Sequence, residues 1–232
     1  MNIITLPVLF AVISLLIALN PVTIAIFTAL LAGGYGKKSS KSHIHATALA
    51  YLLVLAALFI VSGFLWMNFL DQISLFALER IAIIVGLVCI VWGTFSLKDY
   101  FWYSERTRAP KFIARSVHKR TIKKHEPFSA GVLAITTAYA IAPSMGLPVL
   151  GLLTSAVLLG VVSVRVPVVI TLVLITPLVA IFVLSLRKMR LSAIMVWRQD
   201  SRMVFRLTIG LTTVFIGWLI MLILNGTLGA NL

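Results

Sequence analysis

Acidic residues are scarce in this sequence. Six Asp and Glu stand against twenty Lys and Arg in 232 residues, a formal net charge of +14. Charged residues of either sign make up only 11%, whereas 61% are hydrophobic. That balance excludes an ordinary soluble domain, which needs far more polar surface. Cysteine is nearly absent. The one thiol, Cys89, permits no intramolecular disulfide, and cysteine usage therefore says nothing about compartment. Residues 1–19 lack a cationic leader, and the apolar run continues through Asn20-Pro21 without a small-residue cleavage site. It reads as a retained span. No Asp, Glu, Lys or Arg stands well inside an apolar block. This speaks against proton coupling by a carboxylate relay and against a transition-metal exporter with His or Asp in its pore. No nucleophile–base pair or cofactor motif is visible, which disfavours a conventional enzyme. His43 and His45 form an HxH with no obvious third ligand, so no metal site is expected.

What the sequence does contain is apolar blocks about 20 or more residues long, enough to cross roughly 30 Å of hydrocarbon. The expectation is an all-α integral membrane protein of six transmembrane helices. The spans run over about 3–31, 46–70, 75–97, 128–160, 166–186 and 207–224. Three regions follow: a first three-helix repeat (1–97), a basic cytoplasmic loop (98–127) and a second three-helix repeat (128–232).

The basic residues sit between the blocks. The loops after spans one, three and five hold 3, 9 and 6 Lys/Arg, which is 18 of the 20; only Arg80 and Arg165 fall on the other side. This is the positive-inside pattern rather than a nucleic-acid footprint. It puts the basic loops in the cytoplasm and both termini outside, in a multi-pass protein of the plasma membrane. Tyr100-Phe101-Trp102-Tyr103 stands where span three leaves the membrane and reads as an interfacial aromatic belt. The loop behind it is either solvated or an amphipathic segment on the inner leaflet.

Spans one and four share an interruption. Span one reads Ala18-Leu19-Asn20-Pro21-Val22-Thr23 and span four Ile141-Ala142-Pro143-Ser144-Met145-Gly146. Aligning the prolines sets an offset of 143 − 21 = 122 residues. With three spans per half, the second copy is inverted relative to the first. Proline removes a backbone donor and clashes with the preceding turn. Backbone groups freed at membrane depth are tolerated only inside protein or beside a wet cavity. Paired interruptions in corresponding halves point to a midplane site; one proline kink alone more often has no function. The site candidates are Asn20, Pro21, Thr23, Ala142, Pro143 and Ser144.

These residues resemble the cytochrome c biogenesis transmembrane family, CcdA and the membrane domain of DsbD, within the wider LysE-type superfamily. The similarity is greatest at Leu19-Asn20-Pro21-Val22-Thr23-Ile24-Ala25, where that family reads Asn/Ser-Pro-Cys. It returns at Ala142-Pro143-Ser144-Met145-Gly146, where the family reads Pro-Cys, and at 97–103. The resemblance implies six spans in inverted halves. It also implies transfer of reducing equivalents across the membrane by thiol–disulfide exchange with thioredoxin-like partners. The family's two redox-cysteine positions are Val22 and Ser144 here, and neither forms a disulfide. Cys89 lies at neither position, and a thiol in apolar surroundings is normally inert.

Three functions follow. The first is a CcdA-like, transporter-like scaffold without dithiol chemistry. The second is a LysE-type exporter of a small solute. The third is a redox carrier whose cysteines at the Val22 and Ser144 positions have been replaced. The lipid bilayer is the expected partner in all three, thioredoxin-like proteins only in the last. Substrate, energy coupling and oligomeric state are not written in the residues.

Overall fold

The computed structural model describes residues 5–32, 41–101, 134–135, 145–186 and 202–230. Among these the chain is helical, with turns between helices and no strand. The helices are α1 (Thr5–Ala18), α2 (Pro21–Ala32), α3 (Lys41–Gln72), α4 (Leu75–Phe101), α5 (Leu147–Leu158), α6 (Arg165–Leu186) and α7 (Arg202–Ala230). Four segments are long and apolar enough to span a membrane: Ile44–Gln72, Leu75–Lys98, Arg165–Leu186 and Arg206–Gly226. At a rise of about 1.5 Å per residue, α3 alone is roughly 48 Å long and exceeds the hydrocarbon core. Large apolar side chains such as Leu53, Leu65, Ile84, Phe95 and Leu222 point outward. Water would penalise that surface and lipid does not. The molecule is a helical membrane protein.

Local chemistry sets the ends of these helices. Ser74 caps α4: its hydroxyl accepts from the Ala77 N–H at 3.4 Å, and its carbonyl from the Leu78 N–H at 2.9 Å. The end of α5 is closed by Gly160, whose φ of +72° suits glycine far better than an L side chain. There the Val161 N–H reaches the Ala156 carbonyl and the Gly160 N–H the Val157 carbonyl, both at 2.9 Å. That pair of bonds is the Schellman closure. Helix ends extend a few residues beyond the apolar blocks, most at α3 and α7, because Lys41, Ser42, Arg202 and Met203 continue the helical backbone into the flanks.

The interior divides into two apolar clusters. The first gathers Ile13, Ile17 and Ala18 of α1, Met67 and Leu70 of α3, Cys89 of α4, Leu152 of α5, Ile170 and Leu174 of α6, and Ile216 and Ile220 of α7. The second gathers Ile24, Phe27, Leu30 and Leu31 of α2, Tyr51, Leu52 and Leu55 of α3, Leu178 and Ile181 of α6, and Ala134. Phe59 packs against both.

Helices α4 and α7 make the most extensive helix–helix contact among the described residues. Glycine permits it. A Cβ added at Gly217 would lie 2.6 Å from the Gly86 carbonyl oxygen, and one at Gly93 2.8 Å from that of Gly210. Small residues let helix backbones touch where no hydrophobic effect drives association in lipid. Pairing of 86 with 217 and of 93 with 210 makes the two helices antiparallel. Helices α3 and α6 are antiparallel too: Gly63 meets Pro167, and His45 meets Phe182.

Candidate functional site

The interruption expected in the first span is present. Helix α1 stops at Ala18 and α2 starts at Pro21. Asn20 is the pivot. Its carbonyl accepts the first bond of the new helix, from the Ile24 N–H at 3.2 Å, and Pro21 follows at the first helical position. Asn before Pro is the favoured opening of a helix, because Pro has no N–H to leave orphaned and its φ is already helical. The carbonyl that Pro21 cannot serve belongs to Ile17. It accepts from the Asn20 N–H at 3.2 Å instead, a tighter turn closing the end of α1. The bond to Ile17 supplies a local partner at the position that proline disrupts.

Asn20 and Thr23 are both buried, each 1% exposed. They lie between clusters, for Ile17 and Ala18 belong to the first and Ile24 and Phe27 to the second. The Thr23 hydroxyl donates to the thioether sulfur of Met145 at 3.8 Å. Two residues separated by 122 positions are thus in direct contact at the break. Sequence reasoning did not single out Met145, although the same offset pairs it with Thr23. Pro21 and Val22 open α2. Ala142, Pro143 and Ser144 lie outside the described residues.

Cys89 sits elsewhere. It is buried in the first cluster, its thiol directed at the Leu147 carbonyl at 3.8 Å and packed against Gly151. A thiol so enclosed presents no thiolate to a partner protein. His45 is spent on packing, edge-on to the Phe182 ring with centroids 5.8 Å apart and planes at 88°. No group of three potential metal-ligating His, Cys, Asp or Glu side chains occurs among the described residues. One further polar link ties the bundle: the Trp66 indole N–H donates to the Thr154 hydroxyl at 3.1 Å, and that hydroxyl donates to the Leu150 carbonyl at 2.8 Å.

The break thus places a buried carboxamide, and a hydroxyl bonded to a thioether, between the two apolar clusters; among the described residues there it brings together no acid–base pair. No family model, curated protein or solved structure matches the chain.

Proposed function

We propose that this chain is a six-span plasma-membrane protein of two inverted three-helix repeats. It serves as a transporter-like scaffold akin to CcdA and the DsbD membrane domain, without their dithiol chemistry. The observation that carries this reading is the Thr23–Met145 contact. In an inverted repeat, equivalent residues touch each other only near the pseudo-two-fold axis, and these two are equivalent at the offset the prolines define.

Other features support the same symmetry. Adding 122 carries α2 onto α5, α3 onto α6 and α4 onto α7, and the last two pairs pack antiparallel. It also carries part of the second cluster onto the first. Phe27, Leu30, Leu31, Ala48 and Leu52 of the second map onto Val149, Leu152, Leu153, Ile170 and Leu174 of the first. The match is partial, for Ile24, Tyr51 and Leu55 fall on the half-buried Gly146, Val173 and Pro177. The positive-inside bias of the loops puts the Lys41 end of α3 and the Leu186 end of α6 in the cytoplasm, with both termini outside.

In this reading the missing cysteines define the function: with Val22 and Ser144 at the two redox positions, the scaffold carries no electrons. A Val22→Cys/Ser144→Cys variant, first oxidised so that its two introduced thiols are joined in a disulfide, and the unaltered protein treated alike are incubated with reduced thioredoxin, and thiol–disulfide exchange is followed by maleimide mass shift. Exchange by the double variant alone is expected. Exchange by the unaltered chain would refute the loss of redox chemistry, and none by either would remove the family likeness.

The burial of Asn20 and Thr23 favours a second reading, a LysE-type exporter of a small solute with its site at the break. Counterflow of candidate solutes in proteoliposomes tests it. Asn20→Ala abolishes such transport if the site is correct, and unchanged transport eliminates the site.

A further inference from the structure

Between the two clusters runs a seam, and the described chain crosses it in three places. Helices α1 and α2 cross between Ala18 and Ile24, α3 between Leu55 and Met67, and α6 between Leu174 and Leu178. Each crossing holds a residue that weakens a helix. The first has the Asn20-Pro21 break. The third has Pro177, inside α6, which gives the Val173 carbonyl no N–H and crowds the preceding turn. The second has Ser62-Gly63, a pair of the kind at which helices bend, and the Ser62 hydroxyl back-bonds to the Phe59 carbonyl at 3.2 Å.

Each side of the seam is tied together internally. On the second-cluster side, Phe27 of α2 packs on Tyr51 of α3 with ring centroids 5.8 Å apart, and His45 of α3 packs on Phe182 of α6. On the other side, α4 and α7 are locked backbone to backbone by their glycines, and Trp66 is bonded to Thr154. Across the seam runs the Thr23–Met145 contact, a weak hydroxyl–sulfur bond.

We infer that α2, with the adjoining ends of α3 and α6, moves as one body against the α4–α7 frame. The body hinges at Asn20-Pro21, Ser62-Gly63 and Pro177, and the Thr23–Met145 contact latches it shut. The Pro177 hinge breaks the repeat symmetry, because the residue 122 positions earlier is Leu55. Motion is therefore eased in the second copy at a level where the first copy is stiff. This deepens the transporter-like reading and rests on it for the purpose the motion serves.

The test measures distances between spin labels by double electron–electron resonance in lipid nanodiscs, in a Cys89→Ala background. Labels go on outward-facing positions. Leu53→Cys with Leu186→Cys reports within the moving body, Leu75→Cys with Leu211→Cys within the frame, and Leu53→Cys with Leu211→Cys across the seam. Two distance populations are expected across the seam, with one narrow population in each internal pair. Pro177→Ala, which restores the N–H, should reduce the two to one. A single narrow distance across the seam overturns the proposal even if Pro177→Ala fails to fold. Two populations that Pro177→Ala leaves unchanged overturn the Pro177 hinge. No solute is needed, so failed counterflow would leave the hinge standing, and a rigid protein would leave the scaffold reading standing.

Discussion

The α4–α7 pair and the α2 side of the molecule are made of similarly apolar helices but are joined in opposite ways. Between α4 and α7, glycines at 86, 93, 210 and 217 bring backbone against backbone, and no proline interrupts either helix. On the α2 side, contacts run through large side chains (Phe27, Tyr51, Leu55 and Ile181), and proline stands at 21 and 177. Apolar character is therefore a poor guide to rigidity inside a membrane. Lipid tails are as apolar as leucine, so packing distance, rather than burial from water, decides how firmly two helices hold.

That contrast can be broken most sharply at the glycines. Gly217→Val would force a side chain into the Gly86 carbonyl and Ile90, and is expected to destabilise by about 3 kcal/mol. The fall in melting temperature of the detergent-solubilised protein, read by size-exclusion fluorescence, measures it. A second comparison truncates one buried leucine in each cluster. Leu152→Ala and Leu55→Ala should each lose roughly 2–4 kcal/mol of local packing. Hydrogen exchange then tells them apart. Leu152→Ala is expected to raise exchange throughout α4, α5 and α7, whereas Leu55→Ala raises it in α2 and the adjoining end of α3 while α4–α7 stays protected. Uniform deprotection by both would show that the clusters open together.

Smaller effects sharpen the frame side. Trp66→Phe removes the bond to Thr154 and should lower stability by about 1 kcal/mol, seen in the same melting assay. Gly226→Ala is the control. An added Cβ there meets nothing within 4 Å, so the exchange should be neutral or stabilise α7 by up to about 1 kcal/mol. A loss comparable to that of Gly217→Val, where propensity alone predicts a gain, would mean that close approach does not explain the glycine effect.

Much of the architecture was legible residue by residue. The Asn20-Pro21 interruption could be read because proline acts on its own turn, and α1 does end where the sequence placed the break. The polar pair Asp71-Gln72 stands between two apolar runs, and α3 runs through it to end at Gln72, with α4 starting at Leu75. The candidate site was legible only in half. Asn20 and Thr23 are buried at the break, whereas the partner that Thr23 meets, Met145, has no local signal and emerges only from the 122-residue offset. Pro177 was visible as a proline in a span, but its position on a seam depends on which leucines cluster on either side of it.

The sequence by itself determined that this is a helical membrane protein and where its first helix breaks. Hydropathy, span length and the missing proline N–H are properties of consecutive residues and need no knowledge of the rest of the chain. Tertiary structure alone decided that Cys89 is enclosed between α4 and α5, that four glycines fuse α4 to α7, and that the interior divides at a seam. Those are relations among residues far apart in the chain. In a sequence that is apolar on every helix face, nothing local says which face will meet which.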